Sequence, residues 1–121
     1  MSIPDPKTIE TFLRTQYDLW SQARFEDMLE EFRKIAPNGL TIEYVGHPPK
    51  DGWQELDDMW QQYGGKCPTE VKQLLVNGNE AATYIHNHLQ TDDGVHTLPS
   101  IETYRFEDGK LHVRYFHPAQ D

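Results

Sequence analysis

Residues 100–116 read Ser-Ile-Glu-Thr-Tyr-Arg-Phe-Glu-Asp-Gly-Lys-Leu-His-Val-Arg-Tyr-Phe. Two extended, alternating runs are joined here by Glu107-Asp108-Gly109, and a short Asp-Gly link between such runs is a hairpin signal. The same punctuation recurs upstream, at Asn77-Gly78-Asn79 and at Asp92-Asp93-Gly94. Four strands follow from it, over 69–76, 80–91, 96–106 and 110–117, and they form an antiparallel meander.

The first half of the chain has a different period. Ile9, Phe12, Leu13, Tyr17 and Trp20 recur in steps of three and four, as do Phe25, Met28, Leu29, Phe32 and Ile35. Each set gives a helix one buried stripe. Asp5 and Pro6 suit the start of the first helix, and Pro37-Asn38-Gly39 stops the second. Leu40–Gly46 alternates as a strand, residues 47–52 read as a loop, and Trp53, Leu56, Met59, Trp60 and Tyr63 mark a third helix ending at Gly64-Gly65. The expected fold class is α+β: a curved antiparallel or mixed sheet wrapped around three N-terminal helices, a cone with an internal pocket. Residues 1–121 are read as one domain.

Composition narrows the function. The 121 residues carry 20 Asp plus Glu against 11 Lys plus Arg, a formal net charge of −9. A phosphate backbone would be repelled by that charge, and the basic residues are scattered, so nucleic acid is not expected as a partner. No run of about 18 apolar residues exists and the first residues lack the build of a secretory signal, so neither membrane insertion nor export is expected and the default location is cytoplasmic. Cys67 is the only cysteine, which excludes an intrachain disulfide and a cysteine-based zinc site. Apolar residues are only 36% of the chain, yet it holds five Phe, three Trp and six Tyr. Much of the core, and the lining of any hollow, must therefore be aromatic.

The order of elements and several local motifs resemble the ketosteroid isomerase and SnoaL-like polyketide cyclase group, within the nuclear-transport-factor-two-like cone fold. The motifs are Trp20 with Phe25-Glu26-Asp27-Met28, Thr41-Ile42-Glu43, Asn79-Glu80-Ala81-Ala82, and Ser100 to Phe106 with Asp108-Gly109-Lys110. The resemblance covers almost the whole chain. It implies that Glu102 occupies the place of a carboxylic acid that, in the isomerases, donates a hydrogen bond to a developing enolate. Their catalytic base falls on Tyr44, a neutral phenol, and their first-helix tyrosine on Gln16, with Tyr17 adjacent. This fold hosts many activities.

Alternation puts Glu102, Tyr104 and Phe106 on one face, and two aromatic neighbours make that face the interior. A carboxyl group there loses solvation and becomes a candidate acid or base; the plainer alternative is a strand-end Glu on the solvent side. The resemblance places Ile85, Asn87 and Leu89 inside, with Asn87 opposite Glu102 as a neutral hydrogen-bonding group. His86 and His88 share the other face with Tyr84. Two imidazoles on one strand invite a metal, but no third ligand is evident, so no metal is expected; this face is instead a candidate homodimer interface. For the last strand two readings stand. Apolarity turns Leu111, Val113 and Tyr115 toward the helices, whereas the resemblance turns His112, Arg114 and Phe116 inward, where Arg114 would pair with Glu102 or bind an anionic substrate and His112 would supply a base. A second subunit covering the outer sheet would account for an apolar outer set, which favours the resemblance.

Tyr17, Trp20, Trp53, Met59 and Trp60, with Tyr104 and Phe116 from the sheet, are the expected substrate-binding walls, although core packing alone explains each one taken singly. His47 stands in a loop that could reach the pocket mouth. Neither a nucleophilic triad nor a phosphate loop is present, and no cofactor is expected. The functional expectation is a small cofactor-independent enzyme whose candidate catalytic residues are Glu102, Asn87, Tyr44, His112 and Arg114. Glu102 would be helped by Asn87 and by either Tyr44 or a histidine, and it would move a proton next to a carbonyl in a cyclic, mostly apolar small molecule, as an isomerase, dehydratase or cyclase. The alternative is a module of the same fold that binds a ligand or dimerises without catalysis.

Overall fold

Asp5 accepts a hydrogen bond from the Thr8 amide at 2.8 Å and Pro6 occupies the first turn, where its missing N–H is not needed. From there the computed structural model, which describes residues 3–118, runs through α1 (Pro6–Ser21), α2 (Phe25–Ile35), β1 (Gly39–Tyr44), β2 (Lys50–Asp51), α3 (Gly52–Tyr63), β3 (Thr69–Asn77), β4 (Glu80–Thr91), β5 (Gly94–Glu107) and β6 (Lys110–Phe116). The strands form one curved sheet in the order β2-β1-β6-β5-β4-β3. The last four are the expected antiparallel meander. β1 joins the far side of β6 in parallel, which makes the sheet mixed.

Two expectations change. Residues 47–52 are not wholly loop, because Lys50 and Asp51 return beside Ile42 and Thr41 as a short antiparallel strand. Asp51 then caps α3 by accepting from the Gln54 amide at 3.2 Å. The second change concerns β6. Its register with β5 runs without interruption from Ile101 opposite Phe116 to Glu107 opposite Lys110. With Glu102 opposite Tyr115 and both buried, Leu111, Val113 and Tyr115 face the helices. His112, Arg114 and Phe116 therefore point to the outer face, and their inward placement is overturned. Apolar side chains gain from leaving water, while an arginine in that interior would lose its hydration.

The core sits where α1 and α2 cross the sheet. Ile9, Phe12 and Leu13 of α1 and Met28 and Phe32 of α2 are buried together with Phe106, Leu111 and Val113. Phe12 meets the Phe32 ring edge-on at 5.0 Å and the Phe106 ring at 6.1 Å, and each such side chain contributes roughly 1.5–3 kcal/mol by burial. α3 is held closer to the sheet than an ordinary residue allows. A Cβ on Gly52 would lie 2.3 Å from Leu40 Cγ and 2.9 Å from the Leu40 carbonyl oxygen. Gly52→Ala is therefore expected to destabilise the protein by about 1–3 kcal/mol, read as a lower midpoint in urea unfolding with an unchanged slope.

Candidate functional site

Between the helices and the sheet lies a cavity of about 780 Å³, within the range of small-molecule pockets, roughly 300–1,000 Å³. α1 supplies Gln16, Tyr17 and Trp20 to its wall, α3 supplies Leu56 and Met59, and the sheet supplies Ile85, Asn87, Glu102 and Tyr115. Exposed lining residues, among them His47, Lys50, Leu98 and His117, mark the opening. Lys50 Nζ lies 3.7 Å from the buried Glu55 carboxylate.

The sheet register lines up a row of polar groups across the inner face. Thr83 of β4 is opposite Glu102 of β5, Glu102 is opposite Tyr115 of β6, and Tyr115 pairs with Tyr44 of β1. Tyr17 descends from α1 onto this row. Its hydroxyl donates to Glu102 Oε1 at 2.5 Å and lies 2.7 Å from Thr83 Oγ1 and 2.9 Å from the Tyr104 hydroxyl. Tyr104 also donates to Glu102 Oε1, at 2.8 Å. Both phenols thus converge on one carboxyl oxygen. Among the described residues Oε2 has no hydrogen-bond partner and is not sealed from the cavity.

Burial pushes the Glu102 carboxyl above its ordinary value of 4.5, and the two phenol hydrogen bonds oppose that shift only in part. Tyr17, Tyr104 and Tyr115 are driven well above 10, by burial first and then by the nearby Glu102 charge. Tyr44 is raised as well, by burial and then by Glu55. Two neutral hydroxyls, those of Tyr17 and Tyr104, therefore donate to the carboxyl group, and those of Tyr115 and Tyr44 belong to the next two strands of the row. The imidazole of His117, at the opening, is lowered by partial desolvation.

The residues expected at the site are distributed unevenly. Glu102, Tyr17, Trp20, Tyr44, Met59 and Asn87 line the cavity, and Tyr104 lies beneath it as a hydroxyl partner of Glu102. Asn87 is not opposite Glu102: it is opposite Leu98, and its amide nitrogen donates to the Leu98 carbonyl and to Ser100 Oγ, each at 3.0 Å. Trp53 instead borders an outer groove with Pro49 and His112. Trp60 stacks on Phe25 at 5.0 Å and meets Trp20 edge-on, bracing the wall from behind. Trp20 is fixed from its other side by donating Nε1–H to the Cys67 carbonyl at 2.8 Å. On the outer face Arg114 reaches Glu43 at 3.4 Å and its guanidinium covers the Phe116 ring, so it does not pair with Glu102. His86 and His88 also lie outside, bonded to Tyr84 and to Glu70 and Thr97. Among the described residues no cluster of three His, Cys, Asp or Glu is placed to hold a metal, and no helix is long and apolar enough to cross a membrane.

Three site residues were missed, each with a usable signal. Thr83 follows from counting eight residues down both strands from the Thr91–Gly94 pair at the hairpin end, which arrives at Thr83 opposite Glu102. Tyr115 follows from the same kind of count on the last hairpin. Gln16 stands in phase with the apolar stripe of α1, between Leu13 and Tyr17, and a polar residue on a buried stripe marks a polar interior.

No family model matches the chain, and no curated protein matches its sequence. Its fold is shared by solved structures. A proposed SnoaL-like polyketide cyclase from Jannaschia sp. CCS1 superposes with a TM-score of 0.74 at 13% identity, covering 98% of this chain and 90% of that one. An LEH-like epoxide hydrolase from M. tuberculosis gives 0.69 at 13% identity, over 94% and 85%. A de novo designed protein with a curved β-sheet gives 0.72 at 14% identity, over 94% and 88%. At these identities the likeness is one of fold. The fold implied by the sequence resemblance, that of the SnoaL-like and nuclear-transport-factor-two-like cone, is the fold the chain has.

The raised Glu102 carboxyl sets a pH dependence of stability. Between 4.5 and its folded value the native state holds a proton that the unfolded state has released, so stability falls as pH rises through that window. Glu102→Gln keeps the acceptor for both phenols and removes the ionisation. Its Tm is expected above that of the wild type at pH 7, with the difference vanishing below about pH 4.5, measured by calorimetry across that range.

Proposed function

We propose that the protein is a small acid/base enzyme in which Glu102 exchanges a proton with a mostly apolar, carbonyl-containing cyclic molecule held in the cavity. The convergence of Tyr17 and Tyr104 on Oε1 carries this reading. With one oxygen occupied by two donors, a proton on the carboxyl resides on Oε2, which is open to the cavity. Ionised, Oε2 accepts a proton from the carbon next to the carbonyl, and neutral hydroxyls of Tyr115 and Tyr44, both on the cavity wall, are available to the enolate oxygen. Returning the proton to another carbon is isomerisation, loss of a hydroxyl is dehydration, and attack of the enolate carbon on a second carbonyl is cyclisation. The aromatic walls formed by Trp20, Tyr17 and Tyr115 fit a flat ring system.

The test uses 2-tetralone in D₂O, followed by NMR. Wild-type protein is expected to accelerate exchange of the α-hydrogens over buffer, and Glu102→Gln to lower that rate by about 10²–10⁴-fold. Equal rates for the two proteins would overturn the assignment. That result would favour a binding module without turnover, a reading supported by Tyr44, a phenol held neutral by burial where the isomerases carry their base.

We also propose that a second copy covers the outer sheet face. Tyr84, Ile101 and Phe116 are 39%, 47% and 36% exposed and lie side by side across three strands. A continuous apolar row of this kind is the centre of a two-fold interface. Tyr84→Asp is expected to sediment as a monomer at concentrations where the wild type is dimeric, and an unchanged dimer would refute this placement.

A further inference from the structure

Among the described residues Glu102 is the only acid on the cavity wall and Lys50 the only lysine or arginine. Lys50 stands on β2 opposite Ile42 of β1, at the opening of the cavity and beside the outer groove. Glu55 of α3 holds its ammonium there: that carboxylate is buried, its side chain 10% exposed, and Lys50 is its one cationic partner among the described residues, at 3.7 Å. A buried carboxylate is unfavourable without a cation beside it, so Glu55 fixes where the lysine head sits. The separation is that of an ion pair and too long for a hydrogen bond, and the adjacent acid, Asp51, is engaged by the Gln54 amide instead. The three N–H donors of the ammonium are therefore left for another acceptor. A formal net charge of −9 repels anions from the chain in general. The mouth is a local exception, because His47 and His117 are the other titratable nitrogen groups at it and its one acid lies deep beneath Tyr17.

We infer that Lys50 is a specificity-determining residue, and that the cavity takes a flat ring compound bearing a carboxylate, with the rings inside and the carboxylate on the Lys50 ammonium at the mouth. The inference rests on the cavity being the ligand site proposed above, and it narrows the substrate class from ring ketones to ring ketones that carry an acid group. The carboxylate remains at the water-exposed rim, where its charge keeps much of its hydration, while the aromatic walls take the apolar part. Anchoring one end of the molecule at Lys50 also fixes which carbon of the ring faces Glu102 Oε2.

The probes are 2-naphthol and the isomeric 2-naphthols carrying one carboxyl group at each free ring position, titrated by fluorescence at pH 7, where that carboxyl is ionised. At least one hydroxynaphthoate is expected to bind the wild type about tenfold more tightly than 2-naphthol, the worth of a charge-assisted hydrogen bond at a partly exposed site. Its methyl ester, similar in shape but uncharged, should show no such increment. Lys50→Met should bring the ratio of hydroxynaphthoate to 2-naphthol affinity to about one. Because that substitution leaves Glu55 without its cation, the double substitution Lys50→Met with Glu55→Gln is the second variant should the single one fold poorly. No hydroxynaphthoate exceeding 2-naphthol, an increment shared by the methyl ester, or an increment that survives the loss of Lys50 would overturn the inference. Hydrogen exchange in 2-tetralone that is indifferent to Glu102 would overturn the acid/base reading alone, because the carboxylate increment is measured without turnover.

Discussion

The hydroxyl of Tyr17 and the carboxyl of Glu102 meet at 2.5 Å between the first helix and the middle of the sheet, and much of the architecture follows from that contact. A carboxyl group at this depth is unfavourable for folding unless its oxygens are satisfied. Two phenols do so for one oxygen, and Thr83 completes the coordination of Tyr17. The angle at which α1 lies on the sheet is thereby set at its polar end by hydrogen bonds, and at its other end by Phe12 between Phe32 and Phe106. The cavity opens on the polar side of that division. The burial that raises the proton affinity of Glu102 also makes the folded state less stable once that carboxyl ionises.

Most of the fold was legible because it is built from local signals. Asp-Gly and Asn-Gly turns delimit three hairpins, and the stripes of α1, α2 and α3 are visible in steps of three and four. Features requiring distant segments to meet were not legible. The pairing of Lys50 and Asp51 with β1 depends on a return after the Gly46 bend, and the parallel pairing of β1 with β6 leaves no mark in either strand. At β6 the two available arguments disagreed, and local alternation, grounded in what Leu111, Val113 and Arg114 gain or lose by burial, describes the molecule where the family alignment does not. Glu102 was legible as an inward carboxyl between aromatics. Its partner Thr83 required the hairpin register, and Gln16 required reading a polar residue on an apolar stripe as a signal.

The scarcity of apolar residues also has a structural expression. Much of the aromatic content forms a wall around the cavity, with Trp60 and Phe25 stacked behind Trp20, while the compact apolar core is confined to one end. A designed protein shares this fold at 14% identity, so the fold does not by itself bring a row such as Thr83, Glu102, Tyr115 and Tyr44 with it.

The parallel pairing of β1 with β6 joins Gly39 to Lys110, 71 positions apart. Hairpins close over a few residues and form early, but this pairing must close a long loop before any of its contacts repay the lost chain entropy. The contact between Tyr17 and Glu102 spans a still longer stretch, 85 positions. The raised proton affinity of Glu102 comes from burial, so it belongs to these long-range contacts and not to the hairpins, which by themselves would leave that carboxyl in water.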